Sequence, residues 1–112
     1  MSKPVNRAYT SYAREALVLL GNLVREGRQA KRMTAGELAE RAGISRPLLR
    51  RIEAGDPGCG IGAVFEVAAI VGIPLFEADV KTMTLMRAGS DERRALLPKQ
   101  VRTALRRVKD DF

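Results

Sequence analysis

Three arginines in a short segment offer the most specific chemistry in this 112-residue sequence. A helix that advances about 100° per residue places Arg46, Arg50 and Arg51 on one side. The opposite side carries the apolar residues Leu48, Leu49 and Ile52. A guanidinium group forms paired hydrogen bonds with guanine O6 and N7, and it also binds phosphate. The segment therefore predicts a short helix that packs one face on a core and presents cations to a polyanion on the other.

Other kinds of site lack their usual residues in this sequence. It contains no His and a single Cys59, so neither a zinc site nor an intramolecular disulfide is expected. The commonest general base is also missing. The carboxylates of Asp91 and Glu92, and those of Asp110 and Asp111, are adjacent in the chain and do not converge. We therefore expect no enzymatic activity and no cofactor.

Composition and charge favour a nucleic-acid partner. Twenty Lys and Arg oppose 13 Asp and Glu, which gives a net charge of +7. The length fits one domain, and 46% hydrophobic residues with only 4% aromatic residues predict an aliphatic, helical core. No apolar run approaches the roughly 18 residues that span a bilayer, and the first residues lack a signal-peptide pattern. We therefore expect a cytoplasmic protein that does not bind membranes.

Apolar periodicity and capping residues define the first two helices. Apolar residues three and four positions apart predict helix 1 over residues 11–31, and Gly27 is a candidate break or early end. Thr34 and Glu37 fit a capping box, in which the hydroxyl and the carboxylate satisfy each other's backbone N–H groups. Helix 2 is then expected to run to Ala42. Its N-terminus would present backbone N–H groups and a positive dipole end to a phosphate.

A short glycine turn leads from helix 2 into the arginine segment. Gly43 is expected to end helix 2 in the left-handed conformation, and Ser45 is expected to cap helix 3 over residues 46–54. A connection of about three or four residues is typical of a helix-turn-helix. We also expect Glu53 to pair with a basic residue of helix 1. The candidates are Arg25, Arg28 and Arg32.

The second half of the chain is less regular. A fourth helix is expected over residues 62–71, with its inner side formed by Val64, Phe65, Val67, Ala68 and Val71. Residues 82–86 alternate polar and apolar, so helix and strand both stay open there. Ser90 is a suitable cap for a short helix over residues 91–97, which Pro98 interrupts. A weak apolar stripe follows at Val101, Leu105 and Val108.

A family resemblance becomes visible at this point. It lies in TAGELA at residues 34–39, AGISR at residues 42–46 and RIEAG at residues 51–55. Over about residues 16–76 the sequence resembles the Xre, or Cro/C1-type, helix-turn-helix family. The resemblance implies an all-α, five-helix, lambda-repressor-like domain with a C-terminal extension. It also implies a homodimer that reads a palindromic operator in double-stranded DNA.

By this resemblance, the family's DNA contacts fall on residues at the start of helix 2 and along helix 3. They are Thr34, Ala35, Ser45, Arg46, Pro47, Arg50 and Arg51. Arg46, Pro47 and Arg51 match base-reading positions, whereas Ser45 and Arg50 match positions nearer the DNA backbone. Ala35 departs from the family's usual Gln, so only a backbone contact is expected there. Pro47 offers only apolar contact, for example to a thymine methyl group.

The second half is similar to a narrower group. A resemblance to HipB-type antitoxins lies in residues 55–67, in residues 96–99 and in the terminal Asp-Asp-Phe. Antitoxins of this type hold a HipA-type kinase toxin and repress their own operon. Two alternatives stay open: a stand-alone Xre-family regulator of another operon, and an interaction module with this fold and weak DNA binding. The expected parts are an N-terminal arm with the start of helix 1 (1–15), a DNA-binding domain (16–76) and a dimerisation and partner-binding extension (77–112).

Overall fold

The computed structural model describes residues 8–99 and folds them into helices and one short 3₁₀ turn. They are α1 (Ser11–Ala30), α2 (Ala35–Ala42), α3 (Arg46–Glu53), α4 (Ile61–Val71), the 3₁₀ turn (Leu75–Glu77) and α5 (Val80–Ala95). The described residues contain no β-strand, which confirms the all-α, five-helix fold. None of these helices combines the length and apolar character that spanning a membrane requires. The chain divides into two compact units between Glu77 and Ala78.

Hydrogen-bonding side chains fix the first turns of α1, α2, α3 and α5. Thr10, Ser45 and Asp79 each accept from the backbone N–H three residues further on, at 3.1, 3.2 and 2.8 Å. The predicted capping box is confirmed, because the Glu37 N–H donates to Thr34 Oγ1 at 3.0 Å and the Thr34 N–H donates to Glu37 Oε1 at 2.8 Å. These bonds satisfy N–H groups that have no partner within the helix.

Tight turns with left-handed residues end α1 and α2. Gly43 has a φ of 71°, a conformation that glycine adopts without steric cost, and the predicted stop is confirmed. Arg32 adopts the same region with a φ of 57°, although it carries a side chain. The Met33 N–H then donates to the Arg28 carbonyl at 3.0 Å and closes the end of α1.

The core of the first unit is aliphatic and takes residues from α1, α2, α3 and α4. Its largest fully buried side chains are Leu38, Leu49, Val24 and Val67. Leu49 and Ile52 form the inner face of α3, and the half-buried Leu48 packs against the same core, as the sequence predicts. Phe65 was expected on the inner side of α4 and is instead 38% exposed. It stands two residues from Val67 and therefore points to nearly the opposite side of the helix.

Two glycines let α1 approach its neighbours closely. A Cβ placed on Gly21 would lie 2.6 Å from the carbonyl oxygen of Glu53 in α3. A Cβ placed on Gly27 would lie 3.0 Å from the Cβ of Val71 in α4. The expected break at Gly27 is therefore wrong, because this glycine serves packing and α1 continues to Ala30.

An ion pair joins α1 to the end of α3. Arg28 donates through Nε and Nη2 to the two Glu53 oxygens, at 2.8 and 3.1 Å. Its Nη1 donates to the Met33 carbonyl at 3.1 Å. Both charged side chains are nearly buried, with 12% and 11% of their surface exposed. The hydrogen bonds that Arg28 donates to Glu53 raise the pKa of the guanidinium group. The predicted pairing of Glu53 with helix 1 is confirmed, and Arg28 is the partner.

The second unit departs from the sequence-based expectation. Residues 82–86 belong to α5, so their alternation does not indicate a strand. The helix is capped by Asp79 and ends at Ala95, and Ser90 lies inside it instead of starting a new helix. No residue of α5 is buried within the described part of the chain. Its apolar residues therefore need not recur at the spacing of a helix face that packs on a core. The expected stripe at Val101, Leu105 and Val108 lies outside the described residues.

We expect Glu53→Ala to lower the free energy of unfolding by about 3 kcal/mol, because it leaves the nearly buried Arg28 charge without its partner. Urea denaturation at neutral pH, followed by circular dichroism, measures this loss. The matched control is Asp91→Ala, which removes an exposed pair whose Arg87 Nε lies 3.5 Å from Asp91 Oδ2. That control is expected to cost less than about 0.5 kcal/mol. Equal losses from the two variants would contradict the role given to burial.

Candidate nucleic-acid interface

Residues 43–45 connect α2 to α3 as a short turn. The Ile44 N–H donates to the Ala39 carbonyl at 2.9 Å, and the Ile44 side chain packs against the core. Ser45 Oγ then accepts from the Leu48 N–H at 3.2 Å, which leaves the hydroxyl proton able to donate outward. The geometry between α2 and α3 is therefore fixed by three features of the turn. Gly43 ends α2, Ile44 packs against the core, and Ser45 caps α3.

α3 presents its basic residues on the face away from the core. Its exposed residues include Arg46, Pro47, Arg50 and Arg51. On the inner face, Leu49 and Ile52 have exposed fractions of 0% and 4%. Pro47 stands in the first turn, where its missing N–H removes no helical hydrogen bond. The helix thus separates a basic outer surface from an apolar inner surface.

The start of α2 offers fewer free donors than its sequence suggests. Thr34 uses its N–H for Glu37 Oε1 and its hydroxyl oxygen for the Glu37 N–H. The Thr34 N–H is therefore engaged by a carboxylate and does not add to the helix-start donors that could hold a phosphate. The N–H groups of Ala35 and Gly36 make no hydrogen bond within residues 8–99, so they remain available at the positive end of the helix.

Arg46 reaches from α3 back across the start of α2. A Cβ placed on Gly36 would lie 2.6 Å from Arg46 Nη2 and 2.8 Å from its Nε. The guanidinium group therefore lies against the Gly36 backbone, next to the free amides at the start of α2. The structure thus places the predicted site residue Arg46 of α3 beside the start of α2, at Gly36.

Arg51 is held by a carboxylate that the sequence reasoning missed. Its Nε donates to Asp56 Oδ2 at 2.8 Å, and the Gly58 N–H donates to Asp56 Oδ1 at 2.7 Å. The Arg51 and Asp56 side chains are 49% and 35% exposed. Their hydrogen bond raises the pKa of Arg51 and, together with the Gly58 bond, lowers the pKa of Asp56. The Asp-Pro-Gly sequence signals a turn at this point, but not the partner of the carboxylate.

The fold, with a short turn between α2 and α3, defines a helix-turn-helix domain. The model of the helix-turn-helix domain family matches residues 19–79, which include α2, the turn and α3. This span is more than half of the chain, and the protein belongs to that family. A search of curated proteins and a search of solved structures gave no significant match.

We expect Gly36→Ala to displace Arg46 without destabilising the domain. The added methyl group would overlap the end of a flexible side chain, and alanine favours helix over glycine by about 1 kcal/mol. Fluorescence anisotropy should show duplex DNA affinity falling about fivefold, since a base or phosphate contact is misplaced. The matched control is Gly62→Ala, where no atom lies within 4 Å of the added carbon. An unchanged affinity in Gly36→Ala would exclude a role for the observed Arg46 position.

Asp56 is expected to titrate below the usual aspartate range, because Arg51 and Gly58 stabilise its charged form. A carboxyl group with a lowered pKa in the folded state stabilises that state above its unfolded pKa. This stabilisation is lost as the pH falls through the folded pKa. Carboxyl NMR shifts between about pH 2 and pH 6 should show that Arg51→Ala raises the Asp56 pKa. Arg50→Ala, the control, should leave it unchanged, and equal effects of both variants would contradict the specific pairing.

Proposed function

We propose that this protein is a sequence-specific transcriptional regulator that binds double-stranded DNA through α3. The observation that carries the proposal is the exposure of Arg46, Arg50 and Arg51 on a short helix whose other side is fixed in the core. A helix of this kind fits the major groove, where arginine pairs with guanine O6 and N7. Membership of the helix-turn-helix domain family supports the same function.

The residues of α3 and its cap divide the work of binding in this proposal. Arg46, Pro47 and Arg51 face base edges, with Pro47 limited to an apolar contact. Arg50 and Ser45 contact the DNA backbone, Arg50 through its guanidinium group and Ser45 through its hydroxyl proton. Backbone contacts set the register of α3, and base contacts select the sequence.

The start of α2 provides an anchor for a phosphate in this proposal. The amides of Ala35 and Gly36 are the donors, and the helix dipole adds a partial positive charge. Thr34 contributes through the capping box that shapes this helix start. Because Arg46 lies against Gly36, its base-reading guanidinium group would stand beside this phosphate.

Regulation in this proposal requires two copies of the chain. A symmetric dimer sets two α3 helices into successive major grooves about 34 Å apart and blocks a promoter. Residues 16–76 form the DNA-binding part, 1–15 an arm, and 77–112 the dimerisation and partner-binding extension. The exposed Val80, Leu85 and Met86 of α5 support a binding role for this extension, with 80%, 67% and 49% of their surface exposed. The proposal needs no enzymatic activity and no cofactor.

The resemblance to HipB-type antitoxins supports a narrower version of the proposal. In this version the chain holds a HipA-type kinase toxin and represses its own operon. The alternative is a stand-alone regulator of another operon.

Coexpression with a kinase encoded beside this chain should yield a complex that copurifies. A chain that lacks residues 98–112 retains α5 and tests whether the end of the chain contacts the kinase, whereas no complex with the full chain favours the stand-alone regulator.

A second candidate function is an interaction module with only weak DNA binding. Ala35 and Pro47 favour it, because neither has a polar side chain at a position where the family contacts DNA. The occupied Thr34 N–H points in the same direction. Such a module would bind all duplexes equally through its net charge of +7.

We expect the chain to prefer DNA from its own promoter over a scrambled duplex of equal length, measured by anisotropy at two salt concentrations. Arg46→Ala and Arg51→Ala should each reduce this preference by about 1 to 3 kcal/mol, because each removes a base contact. The matched control is Arg25→Ala, which removes the same charge from an exposed position in α1. It should leave the preference unchanged. Equal, salt-sensitive binding of both duplexes by the wild-type chain would favour the interaction module.

A further inference from the structure

Hydrogen bonds within the loop after α3 hold Asp56 in place independently of any ligand. Its N–H donates to the Arg51 carbonyl at 3.0 Å, so the backbone after α3 folds back onto the helix. Its Oδ1 accepts from the Gly58 N–H at 2.7 Å. The carboxylate is therefore held by the loop, and the Arg51 side chain must orient itself to the remaining oxygen, Oδ2.

The guanidinium group of Arg51 also lies close to the backbone of this loop, at Gly58. A Cβ placed on Gly58 would lie 3.0 Å from Arg51 Nη2 and 3.3 Å from Asp56 Oδ1. A glycine at this position leaves room for the group to lie against the loop. Only Nε is engaged among residues 8–99, so the Nη donors stay available, and 49% of the side chain is exposed. Two Nη donors can still form the paired contact with guanine O6 and N7.

We propose that Asp56 is a positioning residue for Arg51, which holds its guanidinium group ready for one base and weakens its attraction to phosphate. The inference rests on the proposed function and deepens it. Arginine loses rotamer freedom when it binds, and a side chain already held by Asp56 loses less on reading a base. The neutral pair also contributes less than a free cation to sequence-independent binding. Both effects increase discrimination between DNA sequences.

Selection from a random duplex pool identifies the site that the wild-type full chain prefers. Single-base variants of that site then show which base pair loses discrimination in Arg51→Ala. Affinities for these duplexes are measured for Asp56→Asn, Asp56→Ala, Arg51→Ala and the double variant Arg51→Ala/Asp56→Ala. The asparagine retains an acceptor for Gly58 and removes the charge. Thermal denaturation of each variant confirms folding.

We expect Asp56→Asn to reduce discrimination at the Arg51 base pair about tenfold, with a small gain in affinity for unrelated DNA. Asp56→Ala should have no further effect on discrimination once Arg51 is alanine, so the two changes are not additive. Glu66→Gln removes the same charge from an exposed position in α4 and is the matched control, which should leave discrimination unchanged.

Glycine variants separate orientation from charge. Gly58→Ala keeps both charges and crowds the guanidinium group, so it should also reduce discrimination at the Arg51 base pair. Gly60→Ala is its control, since no atom lies within 4 Å of the added carbon.

Several results would overturn the assignment. Additive effects of Arg51→Ala and Asp56→Ala would make Asp56 an ordinary repulsive charge, and so would an equal gain in affinity for all duplexes. If Arg51→Ala reduced discrimination at no base pair, Arg51 would not read a base. Asp56 would then have no base-reading group to position. A wild-type chain that enriches no sequence would refute the proposed function itself, which is a result distinct from the additive one.

Discussion

The position of α3 depends on the nearly buried ion pair between Arg28 and Glu53. An eight-residue helix is too short to be stable alone, so tertiary contacts must hold it. The ion pair fixes its end, Leu49 and Ile52 fix its middle, and the Ser45 cap fixes its start. The close contact at Gly21 brings α1 against the same end. These contacts set the position from which the side chains of the outer face project.

The local features of this fold were predictable, and the long-range ones were predictable only in part. The capping box and the Gly43 stop depend on residues within one turn, and both appear in the structure as expected. The partner of Glu53 could be narrowed to the basic residues of one helix, but only the packing of α1 on α3 selects Arg28. Ser90 was misassigned because the exposed α5 has no buried face to show its period. The hydrogen bond between Asp56 and Arg51 was not predicted, because sequence spacing does not indicate which residue a loop carboxylate will contact.

Carboxylates accompany the basic and donor groups of the proposed DNA surface. Glu37 occupies the Thr34 amide at the start of α2, and Asp56 engages Arg51 after α3. The groups without such a carboxylate hydrogen bond in the described residues include Arg46, Arg50 and the Ala35 amide. The surface is therefore less attractive to phosphate than its arginine content suggests, and the geometry of a few donors matters more than total charge.

Arg32 connects backbone geometry to the speed of binding. Its φ of 57° places a side chain in the left-handed region, which costs about 1 kcal/mol relative to glycine. The residue stands just before the start of α2 and contributes to the net charge of +7, which attracts a polyanion over distance. A glycine there would relieve the backbone but would slow the diffusional encounter with DNA. Thermal robustness and association rate thus make opposite demands on this one residue.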